Sequence, residues 1–285
     1  LSIWIGPLIN LAFDTHTPIL IPGDPTFFWR EAGLPANLCF AENTIIPTLH
    51  NGLVPIQLIT PGTILSDNSI VTATMILDNT DQTFCYLDST IVTSLHKVLY
   101  QKQWIHVKDH PDAIALPHLN IPIYCLNTTN KLIKLHNTVY SDWDDLEVKD
   151  LDILNRACGA SLPEPLVFSN IHQYLEMGFH PNTILHMLDG TNKKIKHVEL
   201  GEILANGETV TGCVTIQGNV PLYYHDNDII GTGHIIPYTS TNDLKTKTPY
   251  NKTTKLLYHV ITNTGKLKIN GYVFDDYNTG LERYF

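Results

Sequence analysis

Three residues of this 285-residue chain, Cys39, Thr93 and His96, have types and spacing suited to acyl chemistry. A cysteine thiolate is the most nucleophilic side chain near neutral pH. A histidine can take or give a proton in the same pH range. Cys125 follows in a strand-like segment. A thiol in a strand is more often a core residue than a catalytic one, so Cys125 is an accessory candidate.

The segments that must position these residues occur twice in the sequence. Residues 39–76 match residues 178–216 at an offset of 139 positions, apart from a one-residue slip near the first turn. Residues 123–144 match residues 257–278 at an offset of 134. Two matching segments in the same order indicate an internal repeat.

The repeat divides the chain into four parts. We expect an N-terminal arm over residues 1–38, a first module over 39–147 and a second module over 178–285. Residues 148–177 carry apolar residues at helical spacing, interrupted by prolines, and are predicted to form a short helical linker.

Composition and patterning predict an all-β fold. Only 16% of the residues are charged, and Thr, Asn, Ile and Leu are abundant, which is unlike a helical bundle. Asn51-Gly52 and Asp189-Gly190 are hairpin turn signals. The segment Lys131–Leu135 alternates polar and apolar residues, as a half-buried strand does. Residues 218–255 are predicted to form a long loop or an irregular hairpin.

The sequence argues against several functional classes. A net charge of −10 lacks the basic footprint of a nucleic-acid binder. No apolar run reaches 18 residues, so no membrane span is expected within the chain. The cysteines lack metal-ligand spacing, so neither a metal nor another cofactor is expected. Because the five cysteines are odd in number, at least one thiol cannot pair within the chain.

Together these residues resemble the Hint family, the self-processing domains of hedgehog proteins and inteins. A cysteine opens the first module, Thr93-x-x-His96 follows, and a strand-rich tail closes it. The segment Leu58–Gly62 is similar to the Leu-x-Pro-Gly of hedgehog autoprocessing domains. The tandem arrangement most resembles Hint-like modules in proteins of large DNA viruses and protists. The resemblance covers residues 39–76, 91–107 and 123–143.

The resemblance implies a single-turnover reaction at the Leu38–Cys39 bond, with the chain's own N-terminal segment as substrate. Cys39 would attack the carbonyl of Leu38 through a five-membered ring, giving a thioester. His96 would protonate the nitrogen of Cys39, and Thr93 would hold the amide. Cys125 stands in the tail, where inteins place an Asp or, in one class, a second Cys nucleophile. Water, a thiol or an alcohol would then cleave the thioester.

The splice-junction motif of inteins also occurs, as His136-Asn137-Thr138. Its counterpart in the second module, Asn270-Gly271, lies in a segment patterned as a strand. Simple continuation of the strand is therefore favoured over splicing.

The second module lacks the nucleophile, because Gly178 replaces Cys39. Aligning Ile229–His234 with Ile91–His96 also places Gly231 at the position of Thr93. A module without the nucleophile can still have a structural role. A second interpretation therefore stays open for the whole chain. In that interpretation it is an inactive structural or interaction protein with protein partners, such as a virion, secreted or surface component. A cysteine hydrolase acting on other substrates ranks last, because no oxyanion site or acidic partner is evident.

Overall fold

The computed structural model describes residues 38–80, 82–159, 162–226, 229–233 and 248–282. The predicted N-terminal arm, apart from Leu38, lies outside these residues, and so does His234. The predicted all-β class is confirmed, because strands make up most of the regular structure. None of the helices in the described ranges has the length and apolarity needed to cross a bilayer.

Twelve strands precede the first helix. They are β1 (Phe40–Ala41), β2 (Ile45–Thr48), β3 (Gly52–Pro55), β4 (Val71–Leu77), β5 (Phe84–Leu87), β6 (Thr90–Thr93), β7 (Lys97–Tyr100), β8 (Gln103–His106), β9 (Ile114–Leu116), β10 (Ile123–Thr128), β11 (Leu132–Leu135) and β12 (Thr138–Ser141). The hairpin of β2 and β3 turns through three residues before Gly52, whose φ of +67° favours glycine.

Two helices, α1 (Val148–Cys158) and α2 (Phe168–Leu175), lie within the span predicted to be helical. The later elements are β13 (Ile184–His186), β14 (Asn192–Lys194), β15 (Val210–Gln217), β16 (Leu222–Asp226), β17 (Ile229–Thr232), β18 (Thr248–Tyr250), β19 (Leu256–Thr262), β20 (Lys266–Ile269), β21 (Tyr272–Asp275) and α3 (Tyr277–Glu282). The segment predicted as a loop or irregular hairpin thus contains a hairpin of β16 and β17, with β18 paired on its other side.

An eight-stranded sheet joins the two halves in the order β19-β15-β4-β10-β1-β6-β5-β9. At its centre β4 and β15 run antiparallel, and Met75 pairs with Val214. The sequence repeat relates these two residues, since they are 139 positions apart. Phe179 forms β-bridges to Tyr258 of β19 and to Gly231 of β17. In the same way, β1 pairs with β10 on one side and with β6 on the other. The strand order on one side of the Met75–Val214 pair is therefore repeated on the other.

The buried side chains of the described residues form one cluster for each half, one between the halves and one around α1 and α2. Phe40 belongs to the core of the first half and Phe179 to that of the second. Cys39, Met75 and Val214 lie in the shared cluster. Because neighbouring residues of a strand point to opposite faces, Cys39 faces the junction of the halves while Phe40 faces its own core.

Candidate functional site

The amide of Cys39 is held by Thr93, the last residue of β6. The Cys39 nitrogen donates to the Thr93 hydroxyl oxygen at 3.0 Å, and this hydroxyl donates to the Cys39 carbonyl at 3.2 Å. The Thr93 amide donates to the same carbonyl at 2.9 Å. Both residues are completely buried. The hydroxyl of Thr93 is therefore fixed against the nitrogen of the Leu38–Cys39 peptide bond.

His96 lies directly after this contact, in a turn closed by its amide donating to the Thr93 carbonyl at 3.0 Å. Its ring is fully buried, with centroid distances of 4.6 Å to the ring of Phe40 and 5.5 Å to that of Tyr140. Nε2 lies 3.0 Å from the carbonyl oxygen of Ser141. A carbonyl oxygen can only accept, so Nε2 carries the proton of the neutral ring. No described residue meets Nδ1 at hydrogen-bonding geometry.

Burial lowers the pKa of His96 from 6.5 to about 4, and the backbones of Ser141 and Cys39 partly offset this shift. The ring is therefore neutral at pH 7, and Nδ1 presents a free lone pair. The Cys39 backbone raises the pKa of His96, so the ring lies close to that backbone. His96 can thus accept a proton at Nδ1 and, once charged, is a strong acid.

Cys125 lies across from Cys39 in the neighbouring strand β10. The register pairs Phe40 with Tyr124 and Ala41 with Ile123, so one further step sets Cys39 opposite Cys125. Both thiols are free and completely buried. Burial raises the pKa of Cys125, and the Cys39 thiol and the Asp142 carboxylate raise it further. Cys125 is therefore a neutral thiol in contact with the candidate nucleophile.

A buried charged cluster adjoins this pair of thiols. Lys131 Nζ lies 2.6 Å from Oδ2 of Asp144 and 3.7 Å from Oδ2 of Asp142. Burial raises the pKa of Asp142 to about 7, although Lys131 opposes the shift. The amide of Thr128 donates to Asp142 Oδ2 at 2.8 Å, and the second half repeats this bond between Thr262 and Asp276 at 2.9 Å. Its recurrence in a half without a nucleophile indicates a structural role for Asp142.

The second half preserves the threonine contact, and the prediction that Gly231 stands in the place of Thr93 is wrong. The amide of Gly178 donates to the hydroxyl of Thr232 at 3.2 Å, and the Thr232 amide donates to the Gly178 carbonyl at 3.0 Å. Thr232 follows Thr93 by 139 positions, the offset already seen in residues 39–76. Aligning His234 with His96 shifts the alignment by one residue. The constant offset of 139 aligns Thr232 with Thr93.

Close packing leaves no room for a side chain at Gly178. A Cβ there would lie 2.7 Å from Cβ of Leu257 and 3.2 Å from Cδ1 of Ile216. His259 occupies the position that matches Cys125, and burial lowers its pKa to about 4. In the second half, neighbouring side chains therefore fill the space that a side chain at residue 178 would need.

The other three cysteines lie on other elements. Cys85 is in β5, Cys158 is in α1 and Cys213 is in β15, and none of them forms a disulfide with another cysteine. In the described ranges no three His, Cys, Asp or Glu side chains converge as a metal site would require. His136-Asn137 forms the turn between β11 and β12, so the splice-junction motif spans a hairpin turn rather than the interior of a strand.

No protein-family model and no curated protein matches the chain. Evidence for a function therefore comes from the geometry around Cys39 and from the differences between the two halves.

Proposed function

We propose that the chain is a self-processing protein that converts the Leu38–Cys39 peptide bond into a thioester. The observation that carries this proposal is the hydrogen bond from the Cys39 amide to the buried hydroxyl of Thr93, with the buried ring of His96 close to the backbone of Cys39. A nucleophile then cleaves the thioester and releases the residues up to Leu38.

The N-to-S acyl shift takes one proton from the thiol and gives one to the leaving nitrogen, and His96 is placed for the second transfer. The Cys39 sulfur, on the opposite side of the backbone from the rings of Phe40 and His96, attacks the Leu38 carbonyl carbon and releases its proton to solvent. His96 takes up a proton at Nδ1 and gives it to the Cys39 nitrogen as the carbon–nitrogen bond breaks. The pKa of about 4 makes the charged ring a ready donor. The products are a thioester at Leu38 and a free amine on Cys39.

Thr93 and the fold contribute positioning. The Thr93 hydroxyl holds the amide nitrogen that must leave, and the backbone bond from Thr93 to the Cys39 carbonyl fixes the following peptide. Holding the reacting groups in one geometry lowers the entropic part of the barrier. No cofactor takes part in this scheme.

A structural or interaction role is the second candidate, and one observation favours it. Gly178 and Thr232 keep the same amide-to-hydroxyl bond although residue 178 has no thiol, so the bond can serve architecture alone. In this case Cys39 would be a packing residue of the shared cluster. Such a protein would act through partners in a larger assembly, as a virion or surface component does.

Intact-mass measurement of the purified full chain separates the two candidates. Hydroxylamine or an added thiol is expected to split the wild type between Leu38 and Cys39, whereas Cys39→Ala stays whole. Cys85→Ala is the matched control, because Cys85 is also a buried thiol of the eight-stranded sheet, and it should be cleaved like the wild type. A folded wild type that stays as intact as Cys39→Ala would rule out self-processing.

A further inference from the structure

We propose that Cys39 and Cys125 form a redox pair that closes to a disulfide when a hydroperoxide reaches the site. The proposal needs only the two thiols and their strands, so it does not depend on self-processing.

The strand register brings the two cysteines to the spacing that a disulfide needs. Cys39 bonds through both its amide and its carbonyl to Thr93, on the side of β6. The amide of Glu42, three residues further on, donates instead to the carbonyl of Pro122, the residue before β10, at 3.2 Å. Bonded and non-bonded pairs alternate along an antiparallel ladder, so Cys39 and Cys125 are a non-hydrogen-bonded pair. Such pairs have Cα atoms about 4.5 Å apart, within the disulfide range of about 4.4–6.8 Å.

Both side chains also lie on the same side of the sheet. Cys39 and Cys125 belong to the single buried cluster between the halves, together with Ile123, two residues before Cys125. The Cys39 thiol raises the pKa of Cys125, as a close neighbour does, while the Cys125 thiol donates to the Leu126 carbonyl at 3.8 Å. Neither strand therefore has to turn over for a disulfide to form.

No other cysteine has such a partner. Cys85 pairs with Val92 and Ala115, Cys213 pairs with Ile76 and Val260, and Cys158 lies on a helix. In the second half the matching positions hold Gly178 and His259. A thiol pair is thus confined to the half that carries the candidate nucleophile.

Hydrogen peroxide is a small, uncharged molecule, and it supplies the two-electron oxidation that a disulfide requires. With hydrogen peroxide, the Cys39 sulfur takes one oxygen atom to become a sulfenic acid, and one water is released. The Cys125 sulfur then attacks the Cys39 sulfur, the sulfur–oxygen bond breaks, and the hydroxide leaves as water with the Cys125 proton. Two thiols and one peroxide give one disulfide and two waters. If Cys39 is the nucleophile of self-processing, this bond blocks it reversibly.

Peptide mapping of the full chain tests the pair. Protein reduced with a phosphine is treated with hydrogen peroxide, alkylated while unfolded, and digested after Glu, Lys and Arg. The digest separates the two sites, with Cys39 in residues 32–42 and Cys125 in residues 109–131. We expect these peptides to be joined, at a mass two hydrogens below their sum, and to separate again with phosphine. Cleavage at Leu38 only shortens the first peptide, so the link is read whether or not self-processing occurs.

Two variants control the test. Cys85→Ala should keep the link, because Cys85 faces no thiol. Cys125→Ala should lose it and leave Cys39 to oxidise further, to a sulfinic acid that phosphine does not reverse. The proposal is overturned if both peptides of the folded, oxidised wild type are recovered separately, or if Cys39 is joined to Cys85 instead.

Discussion

The hydroxyl of Thr93 accepts a hydrogen bond from the amide of Cys39 and donates one to its carbonyl. Thr232 accepts the matching amide bond from Gly178 in the other half. Each threonine also donates from its amide to the carbonyl of the residue whose amide it holds, and Thr93 is the one that holds a cysteine. Comparing them separates what the contact does for the fold from what it does for a reaction.

The first prediction uses this comparison. Replacing Thr93 or Thr232 by Val leaves a buried N–H without an acceptor, and each change should cost about 1–3 kcal/mol in the free energy of unfolding. Thr93→Val should also slow hydroxylamine cleavage by about tenfold or more, the effect of losing about 1.4 kcal/mol of transition-state stabilisation. Thr232→Val should leave the cleavage rate unchanged. Equal rates in the two variants would show that Thr93 has no part in the reaction.

The second prediction concerns the pH dependence of stability. The pKa of His96 falls from 6.5 to about 4 on folding, so between these values the unfolded chain binds more protons. The neutral His96 ring causes no loss of stability above pH 6.5, and the free energy of unfolding falls as the pH drops from 6.5 towards 4. The full loss is on the order of 3 kcal/mol. Urea unfolding from pH 7.5 to 4.5 should show a shallower loss in His96→Gln than in the wild type. Parallel curves would mean that His96 titrates normally in the folded protein.

The third prediction tests the packing of the second half. Gly178→Ala forces a Cβ to 2.7 Å from Leu257 Cβ and should destabilise the chain by about 1–3 kcal/mol. Gly178→Cys should be similarly destabilised and should gain no cleavage at residue 178. Gly159→Ala is the control, since its Cβ would meet only ordinary contacts at 3.7 Å and beyond. Denaturant midpoints and intact masses measure both effects. A stable, cleaving Gly178→Cys would show that the halves are interchangeable.

The fourth prediction concerns the buried charges beside the thiols. Lys131→Met leaves Asp142 and Asp144 buried without their cation, which should cost about 3–5 kcal/mol. Lys193→Met removes a partly exposed bridge of the same 2.6 Å length to Glu202 and should cost much less, because solvent screens an exposed pair. Unfolding in urea at pH 7 compares the two. Similar losses would show that the Lys131 cluster is as well solvated as a surface pair.

Much of the fold follows from patterns that are local in the sequence. Turn residues, period-two alternation and a constant offset predict the β class and the matched segments. The hairpin of β16 and β17 was less evident, because its strands are short and a register shift between Tyr224 and Asp226 breaks their periodicity. Its stability comes from burial of Leu222 in the shared cluster and Ile229 in the second core, which only the folded chain reveals.

The sequence predicts which residues form the site better than it predicts how they are arranged. Residue types and a family resemblance pick out Cys39, Thr93 and His96, and the fold brings all three together. Nothing local indicates that the Ser141 carbonyl fixes the tautomer of His96, because these residues are 45 positions apart. Nor does the sequence reveal that Lys131 is buried against Asp142 and Asp144. Long-range contacts of this kind depend on how β10, β11 and β12 pack.

The pairing of Met75 with Val214 has a consequence for the origin of the chain. Thr74 pairs with Thr215, the repeat counterpart of Ile76, while Ile76 pairs with Cys213, the counterpart of Thr74. This reciprocity is the property of an interface between two identical subunits related by a twofold axis. The pairing is the one expected of a chain that arose by fusion of the two subunits of a homodimer. In such a chain one half can lack the thiol and still contribute to the cluster that both halves share.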